Sequence, residues 1–227
     1  TVTLYEAHKN LGGQVLQAQK LPGREEFGTL VSNLAQECID SGVTIHTNTF
    51  FSEEMISAKT ADTIVAATGA DCSPLPTVNF EDAHVFTLDD ILSNSANIGQ
   101  SVLIADWRCD WVGAGIAELL TLRGCGVRLC VAGVTAAENV MPYVRDTLNA
   151  RLFDIGVEVI PYVRIFGADK DSVYLQNIIN EQPKVITDVD SVVSIGAPKP
   201  RLELETFLRK SPKDYHLIGD CLAPRTA

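Results

Sequence analysis

Glycines and polar side chains recur at the ends of strands that the sequence predicts. Glu6 ends the opening β-branched run, and Leu11-Gly-Gly-Gln14 follows five residues later. An acid at a strand end can accept hydrogen bonds from ribose hydroxyls, and paired glycines let backbone amides approach a phosphate or a ring. Thr68-Gly69 and Gly219-Asp220 each follow a buried run, at the edge where open α/β sheets bind ligands. Each motif alone is also typical of a solvated strand end or a plain turn.

A further segment runs from a predicted strand, 102–105, into a helix, where a dinucleotide-binding chain places its glycine turn. Gly113 aligns with the third glycine of such a turn, whereas Arg108 and Asp110 occupy the positions of the first two. Their side chains are expected to block close approach of a pyrophosphate, and Asp110 adds like-charge repulsion. The segment therefore predicts poor binding of NAD(P)H. A shifted register that uses Gly113-Ala-Gly115 as the phosphate turn is the alternative.

The elements that carry these motifs alternate between strands and helices, which predicts parallel, doubly wound sheets. The runs 163–179 and 184–186 instead predict antiparallel strands, because turn clusters separate them. Two cycles of alternation predict two doubly wound domains, one inserted in the other. The outer domain is expected at 1–95 plus 199–227, and the inner one at 96–198. Predicted helices cover 27–39, 113–123 and 144–153, and predicted parallel strands cover 43–47, 62–69, 102–105, 127–131, 157–160 and 191–196.

The two ends of the chain and its composition limit the function further. The chain opens inside a strand and stops just after a strand-to-turn junction, which predicts a fragment truncated at both ends. A net charge of −11 disfavours nucleic acid and anionic membranes as partners. The 6 cysteines are scattered singly, without the spacing of a zinc or iron–sulfur site. No signal peptide or membrane span is evident, so a cytoplasmic location is expected.

Taken together, the motifs resemble the C-terminal half of the NADH:flavin oxidoreductase family, which includes 2,4-dienoyl-CoA reductase and the trimethylamine, dimethylamine and histamine dehydrogenases. The similar segments, spread over almost the whole chain, are Leu11-Gly-Gly-Gln14, Pro22-Gly-Arg-Glu-Glu-Phe27, Ala67-Thr-Gly-Ala70 and Ile218-Gly-Asp-Cys-Leu-Ala-Pro-Arg225. The resemblance implies two Rossmann-like domains of the pyridine nucleotide-disulfide oxidoreductase type. It also implies a larger protein, in which an N-terminal TIM barrel carries FMN and a 4Fe-4S cluster.

The resemblance assigns FAD or ADP to the outer domain. Glu6 would bind the adenosine ribose, Gly12, Gly13 and Gln14 would line the channel, and Gly219 with Asp220 would reach the ribityl or pyrophosphate region. No catalytic or metal-binding residue is expected in this chain, since the barrel would transform the substrate. The complete set of cofactor-binding candidates is Glu6, Gly12, Gly13, Gln14, Arg24, Thr68, Gly69, Gly219, Asp220 and Arg225.

The substituted turn at Arg108 and Asp110 favours the amine-dehydrogenase branch of this family. Dienoyl-CoA reductases keep the intact glycine turn because NADPH delivers their electrons. The expected function is therefore the nucleotide-binding part of an amine dehydrogenase or N-demethylase, with a small amine as substrate and an electron-transfer flavoprotein as a possible partner. The alternatives are an NAD(P)H-dependent ene-reductase, and a non-catalytic module that binds ADP or docks an electron acceptor.

Overall fold

The computed structural model describes residues 1–58, 61–73, 75 and 79–225, which form two compact units. Unit 1 comprises 1–71 and 198–227, and unit 2 comprises 72–197. In chain order the elements are β1 (Thr3–Tyr5), α1 (Val15–Ala18), α2 (Phe27–Asp40), β2 (Thr44–His46), α3 (Glu53–Ala58), β3 (Thr63–Ala66), β4 (Ala70–Cys72), β5 (Asn79–Phe80), β6 (Val85–Phe86), α4 (Leu88–Leu92), β7 (Ser101–Asp106), α5 (Trp111–Leu122), β8 (Gly126–Val131), α6 (Pro142–Asp154), β9 (Glu158–Ile160), β10 (Val163–Ala168), β11 (Val173–Asn177), β12 (Pro183–Ile186), β13 (Ser191–Ile195), β14 (Pro198–Pro200), α7 (Glu203–Leu208) and β15 (Asp214–Leu217).

Unit 2 is built on a parallel five-stranded sheet in the order β6-β13-β7-β8-β9. Every residue of β7 from Val102 to Asp106 is buried, as expected for a strand covered on both faces. The α/β doubly wound class predicted from the sequence is confirmed. The first boundary between the two compact units lies at 71/72, and β6 pairs with β13 within unit 2.

A second sheet of unit 2 has the order β12-β11-β10-β5. The pairs β10–β11 and β11–β12 are antiparallel, which confirms the hairpins expected between 163 and 186. One face of this sheet packs on the parallel sheet. The shared core includes Leu103, Ala105, Cys130, Ile160, Val163, Ile165, Val173 and Leu175.

Unit 1 has two parallel strand pairs, β1–β2 and β3–β15, together with the pair β4–β14. A small core forms around Ile64 and Ala66 of β3 and Leu208 of α7. Helix α2 follows the apolar spacing predicted for it, yet none of its residues is buried. Among the described residues, no helix has both the length and the apolar content needed to cross a membrane.

Candidate functional site

The Leu11-Gly-Gly-Gln14 turn of unit 1 uses its two glycines for different purposes. Gly12 has a φ of 117°, and a Cβ added there would lie 2.7 Å from Cγ1 of Val31, so this glycine allows α2 to pack closely. Gly13 has a φ of 49°, and in the described chain no atom lies within 4 Å of an added Cβ. Gly13 therefore leaves its backbone open to a ligand, whereas Gly12 serves the fold.

Gln14 connects this turn to the loop that follows β3. Its Nε2 donates a hydrogen bond of 2.5 Å to the carbonyl oxygen of Ala70, which lies 56 residues away in sequence. The preceding residue, Gly69, has a φ of 79° and, like Gly13, open space where a Cβ would be. The side-chain amide of Gln14 is thus committed to holding the loop, so Gln14 positions the site rather than offering this donor to a ligand.

Arg201 holds the same loop from its other side. Its backbone N–H donates to the carbonyl of Gly69 at 3.0 Å, and its carbonyl accepts from Oγ1 of Thr68 at 2.9 Å. Its guanidinium donates to Oδ1 of Asp71, with Nε at 2.7 Å. This hydrogen bond from Arg201 lowers the pKa of Asp71 below its ordinary value. Sequence reasoning missed Arg201, because its partners are 130 or more residues away.

The loop after β15 lies at the same sheet edge as the loop after β3. The two strands run parallel with Leu217 opposite Ala66, and the N–H of Ile218 donates to Ala66 O at 3.0 Å. Gly219 has a φ of 64° and no described atom within 4 Å of an added Cβ. Oδ1 of Asp220 accepts from the N–H of Arg225 at 3.3 Å. The structure therefore brings together Gln14, Thr68, Gly69, Gly219, Asp220 and Arg225 as a candidate site.

Two sequence candidates lie in other local settings. Glu6 lies just after β1, in the other parallel pair, where its Oε1 accepts from the N–H of His8 at 2.8 Å. The Arg24 guanidinium lies 5.7 Å from the centroid of the Phe27 ring, in the segment that leads into α2. The open glycines at the strand ends fit an adenine dinucleotide or ADP, since a phosphate or ribityl chain needs close approach to the backbone.

The substituted turn of unit 2 is closed by its own side chains. Oδ1 of Asp110 accepts from the N–H of Val112 at 2.9 Å and so caps the N-terminus of α5. Oδ2 of Asp110 accepts from Nε of Arg108 at 2.8 Å and from its Nη2 at 2.7 Å. Because α5 begins at Trp111, Gly113 and Gly115 lie within the helix, and the shifted register is wrong. The helix end that would bind a phosphate is occupied by a carboxylate.

Cys109 fills the centre of the same turn with φ at 49°, a conformation that favours glycine. Its side chain is buried, which raises the pKa of the thiol, and the thiol lies 3.7 Å from the carbonyl oxygen of Asp106, to which it donates. Asn139 adds two hydrogen bonds from outside, from its N–H to Cys109 O and from Nδ2 to Arg108 O. The carbonyl oxygens of Arg108 and Cys109 in this turn are therefore hydrogen bonded by Asn139.

Asp106, at the end of β7, is fully buried beneath this turn. Its Oδ1 accepts from the N–H groups of Arg108 and Cys109, while its Oδ2 has no hydrogen-bond partner among the described residues. Burial raises the pKa of Asp106 to about 7. A Cβ on Gly113 would lie 2.1 Å from this Oδ2, so the glycine is needed for close packing of helix and strand. Sequence reasoning missed Asp106, although an acid directly after the apolar run 102–105 was visible.

No family model matches the chain. It is 32% identical over 152 residues to the probable N-methylproline demethylase of Rhizobium meliloti, covering 63% of this chain and 22% of that protein. It is 26% identical over 221 residues to the bilirubin reductase of Mediterraneibacter gnavus, covering 97% and 34% respectively. Among solved structures, histamine dehydrogenase from Rhizobium sp. 4-9 matches with a TM-score of 0.90 over 99% of this chain and 38% of that one, at 22% identity.

The fold is that of the Rossmann-like part of histamine dehydrogenase, and the two curated relatives are a probable demethylase and a reductase. The resemblance predicted from the sequence is confirmed: the matches to a probable N-methylproline demethylase, a bilirubin reductase and histamine dehydrogenase are consistent with the C-terminal part of the NADH:flavin oxidoreductase family. The chain spans about a third or less of the length of these two curated relatives.

Proposed function

We propose that this chain is the FAD- or ADP-binding part of a flavin-dependent amine dehydrogenase or N-demethylase. In this proposal the complete protein is cytoplasmic and also contains a TIM barrel with FMN and a 4Fe-4S cluster. When bound there, the FMN would accept two electrons from a small amine substrate. An electron-transfer flavoprotein would serve as the acceptor. The relationship to a demethylase supports the amine as substrate class.

In unit 1 the nucleotide would bind against exposed backbone at the glycine turns. Gly13, Gly69 and Gly219 leave open space at positive φ, so backbone amides there can be approached closely. The side chain of Gln14 and the backbone of Arg201 keep the loop after β3 in place without a ligand. Preorganisation of this kind lowers the cost of ordering a binding loop. Glu6 would accept a ribose hydroxyl through Oε2, since its Oε1 already accepts from His8.

The closed turn at Arg108–Asp110 is the single observation that carries the choice of an amine as electron donor. A pyrophosphate would have to displace the Asp110 carboxylate from α5 and break an ion pair whose side chains are 12% and 3% exposed. Breaking such a buried pair costs about 3–5 kcal/mol. NADH and NADPH are therefore poor ligands of unit 2. The relationship to bilirubin reductase keeps an NAD(P)H-dependent reductase as the second candidate.

The deciding experiment is anaerobic stopped-flow reduction of the complete protein with NADH, NADPH or N-methylproline, each at millimolar concentration. We expect the amine to bleach the flavin and both nucleotides to leave it oxidised. Rapid, saturable bleaching by either nucleotide would refute the proposal in favour of the reductase. A colourless protein that releases ADP on denaturation would instead be the non-catalytic module.

A double variant probes the closed turn directly. Arg108→Gly with Asp110→Gly removes both blocking side chains, and we expect partial recovery of NADH binding, measured by calorimetry. Recovery is only partial because the remaining nicotinamide contacts need not exist. The matched control is Arg145→Ala with Asp146→Ala, which removes an ion pair on α6 whose side chains are 29% and 69% exposed. Equal nucleotide binding by both double variants would show that the turn does not block the site.

A further inference from the structure

The sheet β12-β11-β10-β5 of unit 2 exposes large apolar side chains on its outer face, beside the hydrogen-bonded pair of Arg164 and Gln176. An antiparallel sheet with one face on the core normally carries polar residues on the other. Here the outward positions include Phe166, Tyr174 and Val185, which are 67%, 39% and 53% exposed. Contiguous exposed apolar side chains of this kind mark interaction sites. This face is independent of the nucleotide site proposed above.

The strand register gathers these side chains around one groove. Tyr174 lies opposite Val185 on β12 and opposite Gly167 on β10. The register shifts between Ile165 and Gly167, and this bulge inserts Phe166 beside the tyrosine. The phenol O–H of Tyr174 donates to Oδ2 of Asp169 at 2.6 Å, which fixes the ring. The result is a groove of about 600 Å³ with an aromatic lining.

The rim of the groove is acidic. Glu81, Asp169 and Glu181 line it, and Lys184 is the only basic side chain among its described lining residues. Arg164 lies next to the groove, but its guanidinium donates to Oε1 of Gln176. Aromatic faces attract cations, and a guanidinium can stack on a ring while it pairs with a carboxylate. The acidic rim and the aromatic surface therefore both favour a cationic group, and a guanidinium in particular.

We propose that this groove docks a protein partner through an arginine-bearing surface. Arginine satisfies both features of the groove at once, and aromatic residues paired with arginine are typical anchors of protein interfaces. A second copy of this chain carries the same net charge of −11, so charge opposes self-association. An anionic membrane is repelled for the same reason. The partner is thus a different protein with a basic docking face.

The test is a TROSY NMR titration of the complete, ²H/¹⁵N-labelled protein with two blocked dipeptides, N-acetyl-arginyl-leucine amide and N-acetyl-glutamyl-leucine amide. We expect the arginyl peptide alone to shift the amides of β10–β12, saturably and less at high salt. Phe166→Ser should weaken its binding about fivefold, which corresponds to about 1 kcal/mol. The matched control is Phe153→Ser, which removes a phenylalanine on α6 that is 65% exposed.

Three results would overturn the proposal. Equal shifts with the glutamyl peptide would show that charge does not select the ligand. A concentration-dependent dimer that Phe166→Ser abolishes would identify a second copy as the occupant. Protection of Phe166 and Tyr174 from hydroxyl-radical oxidation in the complete, partner-free protein would show that its own polypeptide covers the groove.

Discussion

Replacing Asp106 by asparagine should make unit 2 more stable, and increasingly so as the pH rises. The carboxyl group is fully buried, and burial raises its pKa from 3.8 to about 7. The amide of the asparagine would keep an acceptor for the two backbone N–H groups that Oδ1 now binds at 2.9 and 3.0 Å. The substitution removes the group that becomes charged and leaves a buried amide NH2 in place of Oδ2, so its effect is measured as a change with pH rather than at one pH.

The sign and size of the effect follow from proton linkage. The folded state keeps the proton of Asp106 between pH 3.8 and about 7, where the unfolded state has released it. The contribution of this group is therefore greatest below pH 3.8 and is lost as the pH rises through about 7. At about 1.36 kcal/mol per pH unit, the loss is on the order of 4 kcal/mol. The asparagine variant escapes this loss.

Urea unfolding followed by tryptophan fluorescence measures this effect, because both tryptophans, Trp107 and Trp111, belong to unit 2 and lie in the segment that follows Asp106. The difference in unfolding free energy between Asp106→Asn and wild type should grow between about pH 4 and about pH 7 and then level off. Asp154→Asn, an exposed carboxylate of the same unit, is the control. A difference that stays constant over this range would refute the assignment of a raised pKa to Asp106.

Three further substitutions test the two turns. Gln14→Glu replaces the donor to Ala70 O by an acceptor and should destabilise unit 1 by about 1–3 kcal/mol, with weaker binding of ADP in calorimetry; unchanged ADP affinity would contradict the positioning role. Asp110→Ala removes the cap of α5 and the ion-pair partner of Arg108, so urea unfolding should show a loss of about 3 kcal/mol or more in the free energy of unfolding. A loss below about 1 kcal/mol would contradict the closed turn. Gly113→Ala forces a methyl group against the buried carboxylate of Asp106 and should lower the thermal midpoint of unfolding, although alanine has the higher helix propensity. A raised midpoint would show that the turn can move to accommodate the methyl group.

Local patterns predicted most elements of unit 2, because their signals are short-range. The apolar run 102–105 became β7 and the periodic helix predicted from Gly113 became α5, two residues longer at its start. The turn clusters around 169 and 180 correctly separated antiparallel strands. Strand β6 was not predicted, because it is only two residues long and pairs with β13, more than 100 residues later.

The sequence by itself determined the fold class, the family resemblance and the substitution of the second glycine turn. Each of these depends on residue type and spacing along the chain. Only the tertiary structure decided how that turn is held from outside, since Asn139, 31 residues beyond Arg108, donates to the carbonyl oxygens of Arg108 and Cys109.

The tertiary structure also distinguished Gly12, which packs against Val31, from Gly13, which stays open, although the two are neighbours in one motif. It assigned Gln14 to Ala70, a contact across 56 residues that no spacing rule contains. Steric space and hydrogen-bond partners are properties of three-dimensional neighbours. They are decided only when distant segments pack.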